Sequence, residues 1–201
     1  MSDPTLHIGL VVGPYVGRID PDAAQAYALA TNDPNPAYFE GDAVPPVYTV
    51  ALILPALHEG IRLGSPPDAI PGVRGGVHGE HDVFFHQRVR QGMALRWTSE
   101  TYCATQTGAG TMVTQRLVLT DEHDAPVVEH LWSSLYLGGK IDAQLGPPLR
   151  DHTFPDDARR RPLGSHAFEV TGDQSFRYAG ASTDHAPMHV DDEAARRGGS
   201  P

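Results

Sequence analysis

An aspartate and a histidine near the end of the chain, Asp184 and His189, are the pair whose types and spacing best suit acid–base chemistry. On one continuous α-helix, residues five apart differ by about 140° and lie on different faces. Pro187 stands between them, lacks an N–H and disfavours helix in the residue before it. We therefore predict a turn between two helices, which can direct the carboxylate and the imidazole into one pocket.

The same motif occurs earlier in the chain, at a constant offset of 151 residues. Residues 27–38 read YALATNDPNPAY, and residues 178–189 read YAGASTDHAPMH. The first copy keeps the aspartate, as Asp33, but has Tyr38 where the second copy has His189. Because a phenol with a pKa near 10 exchanges protons poorly at neutral pH, we predict that the first copy is non-catalytic.

Helices are expected to flank both copies of the motif. Asp20 before Pro21 predicts an N-cap followed by proline at the first helical position. Thr171 and Gln174 have the spacing of a capping box. Residues 191–198 begin acidic, end basic and stop at a glycine, which predicts a short helix.

The elements that must position these residues are a helix and a sheet. The run VYTVALILPAL, residues 47–57, is apolar on nearly every face. A buried strand also fits this run, but its length favours a helix buried on all sides, bent or shortened at Pro55. Residues 79–137 contain four alternating segments joined by short turns, which predicts an antiparallel meander. Together they predict an α+β fold in which a sheet wraps around one helix.

Three histidines lie close together at the first predicted strand. Strict alternation places His78 and His86 on one face of that strand and His81 on the other. We therefore expect structural or water-facing histidines here and no metal site.

Composition restricts the partners of the chain. It has 25 acidic and 15 basic residues, a formal net charge of −10, and no basic stripe that would favour nucleic acid or an anionic membrane. Its one cysteine, Cys103, cannot form an internal disulfide, so a reducing compartment is expected. No apolar run approaches the ~18 residues that cross a membrane. We expect a soluble, cytoplasmic protein.

The second copy resembles the hydratase-2 motif of MaoC-like enzymes. The residues that carry the resemblance are Tyr178, Ala179, Ser182, Asp184, Pro187, His189, Asp191 and Ala194. Thr183 and Ala186 stand where the family motif has glycine and asparagine. The first copy, together with Pro45-Pro46, the VHGEH of residues 77–81 and Phe85-His86, is similar to the N-terminal domain of MaoC-like proteins with two hot dogs.

This resemblance implies the hot-dog fold and a domain organisation. Residues 1–140 would form a complete, non-catalytic hot dog. Residues 141–165, rich in proline and mixed charge, read as a linker. Residues 166–201 would begin a second hot dog that carries the hydratase motif. The chain is accordingly expected to be a fragment of a longer product or to depend on a partner, and hot dogs of this kind imply a homodimer or heterodimer.

The resemblance also implies an activity. MaoC-like enzymes are (R)-specific enoyl-thioester hydratases that act in reverse as 3-hydroxyacyl-thioester dehydratases. Asp184 and His189 would hold and activate the water, on an acyl-CoA or acyl-ACP substrate and without cofactor or metal. Two alternatives stay open: a non-catalytic subunit that binds acyl thioesters for a catalytic partner, and a hot-dog thioesterase. A thioesterase is disfavoured because residues 47–57 contain no acidic side chain.

Overall fold

A computed structural model describes residues 5–197. Five strands are present: β1 (Val11–Arg18), β2 (Gly75–Phe85), β3 (Ala94–Gln106), β4 (Gly110–Thr120) and β5 (Pro126–Leu137). The α-helices are α1 (Pro21–Ala30), α2 (Thr49–Gly64), α3 (Asp156–Arg159), α4 (Gln174–Ser182), α5 (Pro187–Val190) and α6 (Asp192–Arg197). Short 3-10 helices cover Pro36–Tyr38, Pro46–Tyr48 and Pro67–Ala69.

The strands form one antiparallel sheet in the order β1-β3-β4-β5-β2. The predicted meander is right for β3, β4 and β5 but wrong for β2, which pairs with β5 so that Phe85 lies opposite Val128. Turn residues after β2 specify a change of direction but not which strand becomes the neighbour. Strand β1, for which we made no prediction, pairs with β3 and adds the fifth strand.

The long helix α2 lies against β1, β3 and β4. Its buried residues are Thr49, Val50, Ile53, Leu54, Ala56, Leu57, Gly60 and Gly64. This spacing of three and four residues describes one buried face, so burial on all sides was wrong. The helix continues to Gly64 through Pro55, which is exposed, and the predicted shortening does not occur.

Glycines in the second half of α2 let the helix approach the sheet closely. A Cβ on Gly64 would lie 1.9 Å from Thr101 Oγ1, and one on Gly60 would lie 2.7 Å from Ser99 Oγ. The sheet side of this contact is polar and buried. Gln115 Nε2 donates to Thr101 Oγ1 at 3.1 Å and to a serine at the end of the helix at 3.2 Å. The helix and sheet are therefore joined here by satisfied hydrogen bonds rather than by apolar side chains.

The two copies of the repeat pack against each other through α1 and α4. Tyr27 and Tyr178, which are equivalent in the repeat, meet edge to face with ring centroids 5.7 Å apart. Arg177 of α4 donates to the Leu29 carbonyl and to Asn32 Oδ1, each at 3.1 Å. The second motif is thus fixed to the first by side chains of its own helix.

The helix ends confirm two of the three predicted signals. The Asp20 carboxylate accepts hydrogen bonds from the first turn of α1, as predicted. The capping box was wrong, because the Thr171 hydroxyl donates to the Asp173 carboxylate at 2.5 Å and α4 begins after Asp173 without a side-chain cap. Helix α6 matches the short helix, with Asp191 Oδ1 accepting a backbone N–H at 2.8 Å; its proposed stop, Gly198, lies outside the described residues.

The segment proposed as a linker, residues 141–165, contains only the short helix α3. Its first part follows the sheet, where Leu145 pairs with Ala104 and the Arg150 guanidinium lies 4.7 Å from the centre of the Phe84 ring. From residue 151 onward its side chains are almost all exposed. Within residues 5–197, no helix combines the length and the apolar character needed to span a membrane.

Candidate active site

The second motif forms the predicted turn between two helices. Helix α4 ends at Ser182, and Thr183 adopts a left-handed conformation with φ of 64°. Ala186 is held near φ −54° and ψ 123° by the following proline, which opens α5. Asp184 lies within the turn and His189 lies one helical position from the end of α5. The two side chains therefore lie on different elements, Asp184 in the turn and His189 in α5.

Local hydrogen bonds fix the backbone of Asp184. Its N–H donates to Ser182 Oγ at 3.2 Å, and its Oδ1 accepts the N–H of Ala186 at 3.2 Å. Among the hydrogen bonds of residues 5–197, none involves Asp184 Oδ2 and none joins Asp184 to His189. Asp184 is partly buried and His189 is exposed. One carboxylate oxygen and the imidazole are thus open to a bound molecule.

Asp184 and His189 line the same two cavities. The smaller, of about 400 Å³, is formed within the second copy and includes Tyr178. The larger, of about 510 Å³, is walled mostly by the first copy. Its other lining residues are His58, Ile61, Pro67, Gly76, Val77, His78, Trp132, Ser134, Tyr136, Ala186 and Met188. The structure therefore brings the two predicted residues together, and it places them over the end of α2 and the β2–β5 edge.

A histidine and a tryptophan form one wall of the larger cavity. The rings of His78 and Trp132 stack at 3.6 Å with planes 6° apart. A bulge between His78 and Glu80 shifts the register of β2, so His81 lies on the same face as His78, with ring centroids 5.6 Å apart. The expectation that His81 points away was wrong because strict alternation does not survive a bulge.

Behind this wall a chain of hydrogen bonds leads into the core. His81 Nε2 and His130 Nδ1 are 2.9 Å apart, and His130 Nε2 is 3.1 Å from Thr49 Oγ1. Burial lowers the pKa of His130 to about 3 and that of His81 to about 4. Both rings are therefore neutral at pH 7. The sequence carries a signal for His130, which occupies an inward position in the alternation between Val128 and Trp132.

In the first copy the equivalent pair, Asp33 and Tyr38, is joined by a hydrogen bond. The Tyr38 hydroxyl donates to Asp33 Oδ2 at 3.2 Å, and the Tyr38 ring is buried. Burial, followed by the charge of Asp33, raises the pKa of Tyr38. The phenol keeps its proton, and the carboxylate that matches Asp184 is already occupied.

Comparison with known proteins places the fold. No family model and no curated protein matches the chain. Among solved structures, it is similar to a MaoC-like dehydratase from Phytophthora capsici, with a TM-score of 0.74 and 21% identity over 95% of this chain and 66% of that one. It is also similar to HtdX of Mycobacterium tuberculosis, with a TM-score of 0.66 and 19% identity over 96% of this chain and 68% of that one. The chain spans about two thirds of these structures.

A third similar structure is the C-terminally truncated HadBC complex, a 3R-hydroxyacyl-ACP dehydratase of M. tuberculosis. It has a TM-score of 0.53 and 19% identity, over 65% of this chain and 97% of that one. These likenesses confirm the α+β hot-dog fold, and they confirm at the level of fold the resemblance to MaoC-like dehydratases.

Proposed function

We propose that the protein is an (R)-specific enoyl-thioester hydratase, acting in reverse as a 3-hydroxyacyl-thioester dehydratase, and that Asp184 and His189 are its catalytic residues. The observation that carries the proposal is that both side chains line a cavity of about 510 Å³ whose walls include Ile61, Val77 and Trp132. An acid–base pair beside an apolar wall suits a polar reacting centre attached to an acyl group.

The reaction that this geometry supports is the addition of water across a Cα=Cβ bond conjugated to a thioester. His189 accepts a proton from the water as the water oxygen bonds to Cβ, and the π electrons move onto the thioester as an enolate. The imidazolium of His189 then gives that proton to Cα, so one water proton ends on Cα, the other stays on the new hydroxyl, and His189 is neutral again. The free Oδ2 of Asp184 accepts a hydrogen bond from the water and is the second group placed to exchange the Cα proton.

The contrast between the two copies supports the assignment. In the first copy, a buried phenol closes the aspartate at 3.2 Å, whereas in the second copy no side chain closes Asp184 Oδ2 among the hydrogen bonds of residues 5–197. His189, unlike Tyr38, is exposed, and imidazole is the side chain that acts most often as a general acid or base in enzymes. We therefore assign the catalytic residues to the second copy, while residues of the first copy line most of the larger cavity.

The test compares matched substitutions in the two copies of the full-length protein. Hydration of a short trans-2-enoyl-CoA is followed by loss of its ultraviolet absorbance, and chiral chromatography identifies the product. Asp184→Asn and His189→Gln should each lower kcat about 10²- to 10⁴-fold, the range for loss of general acid–base catalysis. Asp33→Asn and Tyr38→Phe should cost far less. If the second-copy variants keep full turnover while Asp33→Asn loses it, the roles are reversed.

A second candidate is a subunit that binds acyl thioesters without turning them over. It is favoured by one observation, that most of the larger cavity is walled by the first copy, which has no open acid–base pair. Calorimetric titration with a saturated acyl-CoA separates the two functions. Binding by a wild-type protein that hydrates no enoyl thioester supports the subunit, and measurable hydration supports the enzyme.

We also propose that the protein pairs with a second hot dog, in a homodimer or heterodimer. In the sheet of residues 5–197, β1 and β2 are edge strands with one strand neighbour each. Open edges of this kind are normally covered in soluble proteins. Light scattering coupled to gel filtration should give at least twice the chain mass, or reveal a co-purifying partner. A monomer at high micromolar concentration would contradict the pairing.

A further inference from the structure

His78 faces the catalytic pair across the larger cavity. The bulge in β2 turns its ring toward the space that Asp184 and His189 also line. The ring lies flat on Trp132, at 3.6 Å and 6°, so its plane is fixed before any ligand binds. An imidazole held in this way carries its two ring nitrogens at the edge of the stack, and a nitrogen that the Glu80 backbone does not use can meet a neighbour across the cavity.

The support behind this ring is neutral. His81 contacts both His78 and Trp132, with centroid distances of 5.6 Å and 4.9 Å, and is itself held by the buried His130. Because burial keeps His81 and His130 uncharged at pH 7, they hold the stack in place without adding a competing positive charge. The cluster thus fixes where the His78 ring lies, and the charged groups that can interact with His78 are those on the cavity side.

The charged and titratable groups that face His78 are few. His81 lies on its own strand. The other titratable side chains that line the cavity are His58, Tyr136, His189 and Asp184, and Asp184 is the one carboxylate among them. Burial lowers the pKa of His78, whereas the backbone of Glu80 and the charge of Asp184 act in the opposite direction. His78 and Asp184 therefore share one cavity, and the charge of Asp184 favours the imidazolium form of His78.

We propose that His78 is a positioning residue of the active site. Among the hydrogen bonds of residues 5–197 none joins it to Asp184, and we infer that its ring N–H turns across the cavity to donate to Oδ2 and orients that carboxylate toward the reacting water. The second lone pair of Oδ2 stays available to the water. The Asp184 Oδ1 is already used by the N–H of Ala186, so a donor at Oδ2 fixes the remaining rotation of the carboxylate. A first-copy strand would in this way complete the site carried by the second copy. The role rests on the proposed function, but the proposed hydrogen bond does not.

The contact is tested without turnover. Ring signals of ¹³C,¹⁵N-histidine-labelled protein are titrated by NMR, and the His78 signal is assigned by its loss in His78→Gln. Asp184→Asn should move the His78 titration to lower pH, because it removes the negative charge that favours the imidazolium. The titration of His123, an exposed histidine far along the sheet, should not move. Asp184→Ala serves if Asp184→Asn does not fold. An unchanged His78 titration in a folded variant would overturn the proposal.

The role is tested by kinetics. His78→Phe keeps a ring on Trp132 and loses the donor, whereas His78→Gln keeps an N–H donor. We expect His78→Phe to lower kcat by about 10- to 100-fold with little change in KM, the cost of a misplaced reacting group, and His78→Gln to recover part of that loss. His86→Gln, just beyond the end of β2 and outside the cavity, is the control. Full activity of His78→Phe would refute the role.

The two failures are distinguishable. A wild-type protein with no hydratase activity refutes the proposed function, and the NMR titration still decides whether His78 and Asp184 meet. If the wild type is active and His78→Phe has the same activity, the proposed hydratase function is supported and the positioning role of His78 is refuted.

Discussion

The close contact between α2 and the sheet makes Gly64 the most demanding position in the fold. In Gly64→Ala, the new Cβ would lie 1.9 Å from Thr101 Oγ1 and 3.0 Å from Thr101 Cβ. Rotation of the threonine can move Oγ1 but not Cβ, so the helix must shift. Overpacking of this kind costs about 1–3 kcal/mol. Displacing Oγ1 from Gln115 adds about 1 kcal/mol, while alanine returns at most ~1 kcal/mol of helix propensity. The expected net loss is about 1–3 kcal/mol.

Two further glycines calibrate this prediction, which is measured by equilibrium urea unfolding. In Gly60→Ala the nearest atoms are Ser99 Oγ at 2.7 Å and Gln115 Oε1 at 3.0 Å, while Ser99 Cβ is at 3.4 Å. Both close atoms are side-chain ends that can rotate away, so the loss should be smaller. Gly180→Ala, in α4, meets nothing within 4 Å and should be neutral or stabilising by up to ~1 kcal/mol. Thr101→Ala should cost less in the Gly64→Ala background than alone. Equal stability of the Gly64→Ala and Gly180→Ala variants would refute the reasoning.

Three other predictions concern the turn, the histidines and the packing of α4. Thr183→Gly should protect the amides of α4 in hydrogen exchange by up to ~1 kcal/mol, because a β-branched residue at φ 64° is strained and glycine is not. Burial holds the pKa of His130 near 3 and that of His81 near 4, so below pH ~6.5 the unfolded state binds more protons. The free energy of unfolding should therefore be highest above pH ~6.5 and fall toward pH 5. The fall should be at most about 1.4 kcal/mol per pH unit for each ring, and it should be shallower in His130→Gln. Arg177→Ala should speed proteolysis ahead of α4, whereas Arg196→Ala, on an exposed face, should not.

The sequence predicted those features that depend on local backbone chemistry. Pro187 determined the turn at the second motif. The Asp20 cap could be predicted because an aspartate directly before a proline commonly caps a helix N-terminus. Pairing partners were not readable, since β2 joins β5 through contacts that no turn residue encodes. The facing of His81 was missed because a one-residue bulge reverses alternation, and glycine marks such bulges only weakly. The first-copy wall of the cavity likewise arises from tertiary packing.

The strand order has a consequence for how the chain folds as it is synthesised. Strand β1 must wait for β3, and β2 must wait for β5, the last strand of the sheet. Until residue 137 has left the ribosome, the sheet can hold only the β1–β3–β4 portion, and β2 remains an unpaired strand. Because non-local pairing of this kind is slow and leaves strand edges exposed, the nascent chain passes through a window in which it is open to aggregation. Slowing translation after β5 would not shorten that window, whereas faster elongation between β2 and β5 would.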